Sequence, residues 1–93
     1  SAMGLQVSGT FSVGQQSFMI GAVEVEPGSE LDGLRMEDMS TATRAIAIVR
    51  SPGGGVKLHP RRDSQLSAGD TAYLVGPYLE LLETLRKGQR VTV

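Results

Sequence analysis

Two apolar runs, at residues 17–26 and 45–50, constrain most strongly what this chain can fold into. Each run has apolar side chains on both alternating faces, and in the first run these are Phe18, Ile20 and Ala22 against Met19, Val23 and Val25. A strand of this kind is covered on both sides, by a core and by either a helix or a partner subunit. With 93 residues the chain is long enough for one domain only. Because one short terminal helix cannot cover both runs, we expect a homodimer.

The remaining pattern predicts an α+β domain with two layers, in the order β-α-β-β-β-α. Its sheet is expected to be mostly antiparallel with three to five strands, at residues 10–13, 17–26, 45–50, 56–59 and 71–75. A short helix is predicted over residues 29–39, capped by Ser29, and a second helix follows Pro77. The second helix carries apolar residues at i, i+3, i+4 and i+7, which predicts a buried stripe of Tyr78, Leu81, Leu82 and Leu85.

The sequence divides into three segments. We interpret residues 1–3 as a cloning remnant, residues 4–20 as an N-terminal strand or hairpin lead-in, and residues 21–93 as the main domain. The segment before Glu24 carries no charge, but polar residues interrupt every apolar stretch in it. We therefore expect neither a signal peptide nor direct insertion into a membrane.

Composition argues against several classes of function. The chain has no cysteine and a single histidine, His59, so a zinc site or a cysteine nucleophile is not expected. No nucleophile-elbow pattern accompanies His59, and we predict no metal and no enzymatic activity. The net charge of −1 and the few scattered aromatic residues argue against nucleic-acid binding. Lys57, Arg61 and Arg62 form a local basic cluster with His59, which is either a solvated hairpin edge or an anion site.

Several short motifs follow one another in a recognisable order. A strand leads to Ser29 and then Gly33, a second strand ends in Ile-Val-Arg at Arg50, and Gly69-Asp70 precedes a third strand. That strand ends at Gly76, before the leucine-rich helix. This order and spacing resembles the TrkA-C domain, the C-lobe of RCK (regulator of potassium conductance) domains, over about residues 22–87.

The resemblance implies a regulatory module that dimerises and belongs to a potassium or other cation channel, transporter or antiporter. It would be a cytoplasmic domain whose partners are a second copy of itself and the membrane channel or transporter subunit. Alternatively, such a module serves a transcription regulator or a transporter for another solute. The glycine-rich dinucleotide fingerprint of the N-lobe is absent here, so no NAD or ATP cofactor is expected.

Some members of the family bind cyclic di-AMP between paired C-lobes, along the apolar central strand. The corresponding candidate ligand residues in this chain are Arg44, Ile46, Ala47, Ile48, Arg61 and Arg62. Guanidinium groups suit the phosphates of a cyclic dinucleotide, since their planar donors bind phosphate in a bidentate manner. The alternative is that the same strand is a dimer surface without a ligand.

Overall fold

The computed structural model describes residues 5–90, which form one five-stranded antiparallel sheet and one α-helix. The strands are β1 (Leu5–Val13), β2 (Gln16–Glu24), β3 (Arg44–Val49), β4 (Val56–Leu58) and β5 (Thr71–Pro77), and the helix is α1 (Tyr78–Arg86). The strand order in the sheet is β1-β2-β5-β3-β4. The predicted α+β class and antiparallel sheet are confirmed, and residues 1–3 lie outside the described part.

The helix predicted over residues 29–39 is wrong. This segment consists of turns and a short 3-10 helix at Met36–Asp38, so the described chain contains one α-helix where two were expected. Gly33 has a φ of +94°, which does not continue a right-handed helix. Backbone N–H groups that a helix would use internally bind carbonyls of a distant loop instead: Gly33 donates to Leu66 and Met36 donates to Ser64, each at 2.9 Å.

One face of the sheet is covered by α1 and the turn-rich segment. Leu85 of α1 packs directly over Gly21 of β2, where an added Cβ would lie 3.0 Å from Leu85 Cδ1. The core on this side of the molecule includes these buried side chains: Met19, Val23, Val25, Leu31, Ile48, Leu66, Ala72, Leu74, Leu81 and Leu85. Because residue 21 is a glycine and has no side chain, the helix can approach the sheet closely.

The opposite face of the sheet, here called the open face, is apolar and is not covered by any element within residues 5–90. Strand register places these side chains on it: Phe11, Val13, Phe18, Ile20, Ala47, Val49, Val56, Leu58, Tyr73 and Val75. Leu58 is 66% exposed and Tyr73 is 37% exposed. The two apolar runs therefore have one face in the core and one facing outward.

Residues 5–20 are continuous with the rest of the sheet. Strand β2 crosses the proposed boundary between residues 20 and 21, and it pairs with β1 on one side and β5 on the other. The hairpin of β1 and β2 is thus an integral part of the sheet, because β2 carries core residues such as Met19 and Val23.

Helix α1 begins where predicted, after Pro77, but its buried stripe is rotated. Leu81 and Leu85 are buried as expected, whereas Tyr78 is 44% exposed and Leu82 is 39% exposed. Thr84 also belongs to the buried stripe, and its hydroxyl donates a hydrogen bond to the Glu80 carbonyl at 3.0 Å. The prediction of a buried Leu82 is therefore wrong. Residues 81, 84, 85 and 88 have the same helical spacing as residues 78, 81, 82 and 85, so spacing alone does not show which of the two stripes is buried.

Candidate functional site

Two loops that carry most of the family-like motifs are hydrogen-bonded to each other. The Asp32 carboxylate accepts the Ala68 N–H at 3.2 Å, and the Gln65 side-chain amide donates to the Gly33 carbonyl at 2.7 Å. Leu66 N–H donates to the Leu34 carbonyl at 2.8 Å, so the loops pair through backbone groups as well. The step from Ser29 to Gly33 is therefore a structural feature that fixes one loop against the other.

An ion pair joins the end of β3 to the start of β5. Arg50 Nη1 lies 2.6 Å from Asp70 Oδ2, and Asp70 is almost fully buried. The same carboxylate oxygen accepts the Ser67 N–H at 2.9 Å, while Arg50 also donates to the Gln65 carbonyl. A buried carboxylate needs such partners, because leaving it unpaired costs several kcal/mol. The Ile-Val-Arg strand end and the Gly-Asp motif of the sequence are thus the two halves of one structural contact.

A cavity of about 390 Å³ lies where the 3-10 helix, the start of β3 and the segment after β4 meet. Its apolar lining is Met36, Met39, Ala45 and Pro60, and its polar lining is Glu37, Thr41, Thr43, Arg44 and Arg62. This volume falls at the lower end of small-molecule sites, about 300 to 1,000 Å³, and the mixture of apolar walls with a few polar groups is typical of them.

The backbone holds two arginines at this cavity. Arg44 is the first residue of β3, and Arg62 follows β4 by a few residues. Glu37 N–H donates to the Arg62 carbonyl at 2.8 Å, which ties the arginine's backbone to the 3-10 helix. Within residues 5–90 neither guanidinium has a carboxylate within 4.0 Å, whereas Glu37 faces Arg35 at 3.6 Å. The cavity therefore has cationic donors available for an anionic group.

Thr43 contributes a polar atom inside this region. Its side chain is almost completely buried, and its Oγ1 has no hydrogen-bond partner among the described residues. The hydroxyl lies above Gly76 of β5, where an added Cβ would be 2.8 Å from it. An unpaired buried hydroxyl is costly to retain.

The structure brings only two of the six sequence-predicted ligand residues into this cavity, Arg44 and Arg62. Arg61 points elsewhere and lies 3.5 Å from Asp63 in a separate, polar groove. Ile48 is fully buried in the core, and Ala47 lies on the open face.

Strand β3 lies between β5 and β4, and β4 pairs with its second half, at Ala47, Ile48 and Val49. At Ile46 its pairing with β5 is irregular, since the register shifts between Ala45 and Ala47. The Ile46 carbonyl there accepts the His59 N–H at 2.8 Å. Two copies of the strand could therefore not pair edge to edge at residues 47–49, where both edges are occupied.

Sequence reasoning missed Met36, Met39, Thr43 and Pro60 as cavity residues. The sequence predicts a helix over residues 29–39, and it does not indicate that Met36 and Met39, which the structure packs in or against the core, also line a cavity. Pro60 follows His59, whose φ of +49° turns the chain sharply after β4. No local sequence signal predicts that turn, because few residues other than glycine, asparagine and aspartate adopt this conformation readily.

Among residues 5–90, no three histidine, cysteine, aspartate or glutamate side chains gather at one point where they could ligate a metal. The same part of the chain has no helix with the length and apolar character needed to span a bilayer.

The motifs alone carry the resemblance to TrkA-C domains. Compared with protein-family models and with curated proteins, the chain matches none of them.

Proposed function

We propose that this chain is a non-enzymatic regulatory module that acts as a homodimer, on the cytoplasmic side of a potassium or other cation channel or transporter. The observation that carries the proposal is the open face, an apolar surface extending over all five strands. Monomeric proteins rarely expose contiguous apolar patches larger than a few hundred Å². The TrkA-C-like order of Ser29, Gly33, Arg50 and Asp70 supports the choice of host protein.

The second copy covers the open face by packing its own open face against it. Tyr73 lies at the centre of this surface, between Ala22 of β2 and Ala47 of β3, and Leu58 follows on β4. Two sheets packed in this way bury an apolar layer about 10 Å thick. The contact is isologous, because the same surface serves both copies.

The ligand site is the 390 Å³ cavity, with Arg44 and Arg62 binding an anionic group and Met36 and Met39 contacting an apolar ring. Arg44 also stands opposite Val75 in the sheet register, and therefore at the border of the open face. A ligand held by Arg44 would bind the dimer and the monomer with different affinity. That difference shifts the population of dimers, which is the step that a host channel could detect. A cyclic dinucleotide is the first ligand to test.

Sedimentation equilibrium tests the dimer. We expect the parent chain to self-associate at micromolar concentration, and the variant Leu58→Lys/Tyr73→Lys to have a smaller average mass because it loses the open-face contact. Leu79→Lys is the matched control, because Leu79 is 75% exposed on α1, away from the open face. A parent chain that fits a single monomer mass would refute the dimer, and equal loss in the control would show that the open face is not the contact.

Calorimetry with cyclic di-AMP at about 100 µM tests the ligand site. A ligand with micromolar Kd would add roughly 2.7 kcal/mol of stability at this concentration. We expect binding to be weakened by Arg44→Ala and by Arg62→Ala, and to be unchanged by Arg61→Ala, whose side chain lies outside the cavity. Absence of heat and of any thermal shift in the parent chain would exclude this ligand and leave the dimer proposal intact.

A further inference from the structure

Within residues 5–90, strand β1 forms an edge of the sheet that no other strand pairs with. It has nine residues, with neither a charged residue nor a proline among them. Natural proteins usually protect such edges with charges, prolines or very short strands, because free N–H and C=O groups recruit another strand. The opposite edge follows this rule: β4 has three residues, contains Lys57 and is followed by Pro60. The two edges of this sheet therefore differ in their availability for strand addition.

The regular part of β1 is short and is centred on Phe11. A bulge at Ser8 shifts the register between Val7 and Gly9, and the hairpin turn begins after Val13. Val13 and Gln16 flank a two-residue turn, so they form the first hydrogen-bonded pair of the hairpin. Bonded and non-bonded pairs then alternate along β1. Thr10 and Ser12 consequently direct their backbone N–H and C=O groups away from β2, toward the free edge.

We propose that β1 pairs antiparallel with β1 of a second copy, with Phe11 opposite Phe11, so that one sheet runs continuously through both copies. In this register Thr10 of each copy stands opposite Ser12 of the other. Both residues have outward-facing backbone groups, and they therefore exchange N–H···O bonds. The pairing is isologous, since a two-fold axis passes between the two Phe11 residues.

The side chains of this segment complement themselves in that register. Phe11 stacks on Phe18 at a centroid distance of 5.6 Å and an interplanar angle of 17°, yet it is still 43% exposed. The second Phe11 would cover its other side. Val13, 59% exposed, would stand opposite Gly9, where no atom lies within 4 Å of an added Cβ.

This complementarity identifies the occupant of the edge as a second copy of the same chain. An uncharged strand offers nothing by which to select a charged foreign peptide, and it also meets no like-charge repulsion when it pairs with itself. The edge pairing goes beyond the proposed open-face dimer, because it uses backbone groups of β1 that do not lie on the sheet face. Because one partner cannot occupy the face and the edge at once, a chain that makes both contacts would join more than two copies.

A charge-swap experiment tests the edge in the Leu58→Lys/Tyr73→Lys background, in which the open face is charged. Adding Thr10→Lys/Ser12→Lys places like charges opposite each other in both cross-strand pairs. Adding Thr10→Lys/Ser12→Glu changes the same two exposed positions but places opposite charges there. By sedimentation we expect the association constant of the first variant to be at least about tenfold lower than that of the background, and the association constant of the second variant to stay close to it. Equal association of the two variants, or a monomeric background, overturns the proposal whatever becomes of the open-face dimer.

Disulfide trapping tests the register. Because the chain has no cysteine, Phe11→Cys introduces the only thiol. Residues directly opposite in a non-hydrogen-bonded pair have Cα atoms about 4.5 Å apart, a separation that a disulfide can span. We expect Phe11→Cys to form a covalent dimer under mild oxidation. Val13→Cys, exposed on the same face of the same strand, should not do so, since the two Val13 residues would lie well beyond that reach. Equal trapping at both positions, or trapping at Val13 alone, refutes the register.

Discussion

Truncation of two adjacent leucines in α1 should have very different effects on stability. Leu81 is fully buried in the core, so Leu81→Ala removes packed atoms and leaves a cavity, at a cost of about 3 to 5 kcal/mol. Leu82 is 39% exposed, and the lost transfer free energy of its covered part amounts to about 1 kcal/mol. Alanine favours a helix slightly more than leucine, which reduces both losses by a few tenths of a kcal/mol at most.

Urea unfolding followed by circular dichroism measures this difference. Both variants are compared with the parent at one protein concentration, because self-association stabilises the folded chain by mass action. A domain of this size has a total stability of about 5 to 15 kcal/mol, so Leu81→Ala should unfold at much lower urea with a similar slope. If Leu82→Ala lost as much as Leu81→Ala, the assignment of the buried face of α1 would be incorrect.

Three further substitutions test individual contacts. Asp70→Asn should destabilise the fold by about 2 to 4 kcal/mol, because it leaves Arg50 without its buried carboxylate; a loss under about 0.5 kcal/mol in urea would contradict the importance of this pair. His59→Val should cost about 1 to 2 kcal/mol and His59→Asn almost nothing, since a β-branched residue tolerates the φ of +49° poorly; equal melting temperatures would argue against that backbone conformation. Gly88→Ala should cost about 1 to 3 kcal/mol, because the added methyl would overlap Val23. A melting temperature equal to that of the parent chain would show that the surrounding residues move apart at little cost.

The sequence predicted the strands better than the helices, for a physical reason. The apolar pattern of residues 17–26 and 45–50 predicts strands. The structure has β2, β3 and β5 at the predicted positions, within two residues at each end. The segment 29–39 had a capping residue and apolar spacing, but its backbone groups bind a loop that lies far along the chain, as in the pairs of Gly33 with Leu66 and Met36 with Ser64. Local propensity cannot anticipate hydrogen bonds of that range.

The candidate site was predictable only in its charge. Arg44 and Arg62 could be proposed from the sequence because guanidinium groups suit anions, and the fold does bring them to one cavity. The prediction also included Ile48, which is in the core, and Arg61, which lies beside Asp63. Neighbouring residues in a strand point to opposite faces, and the side of the sheet that becomes the core is chosen by the helix that packs on it.

The sequence by itself determined the α+β class, the strand content and the existence of two apolar faces, because these follow from local alternation and from the short length of the chain. The tertiary structure decided which of those faces is left open, which stripe of α1 is buried and which arginines share a cavity. These features depend on strand order, register and loop pairing, which join residues far apart in the chain. The free edge at β1 is of the same kind: its uncharged composition is visible in the sequence, but only the order β1-β2-β5-β3-β4 makes it an edge.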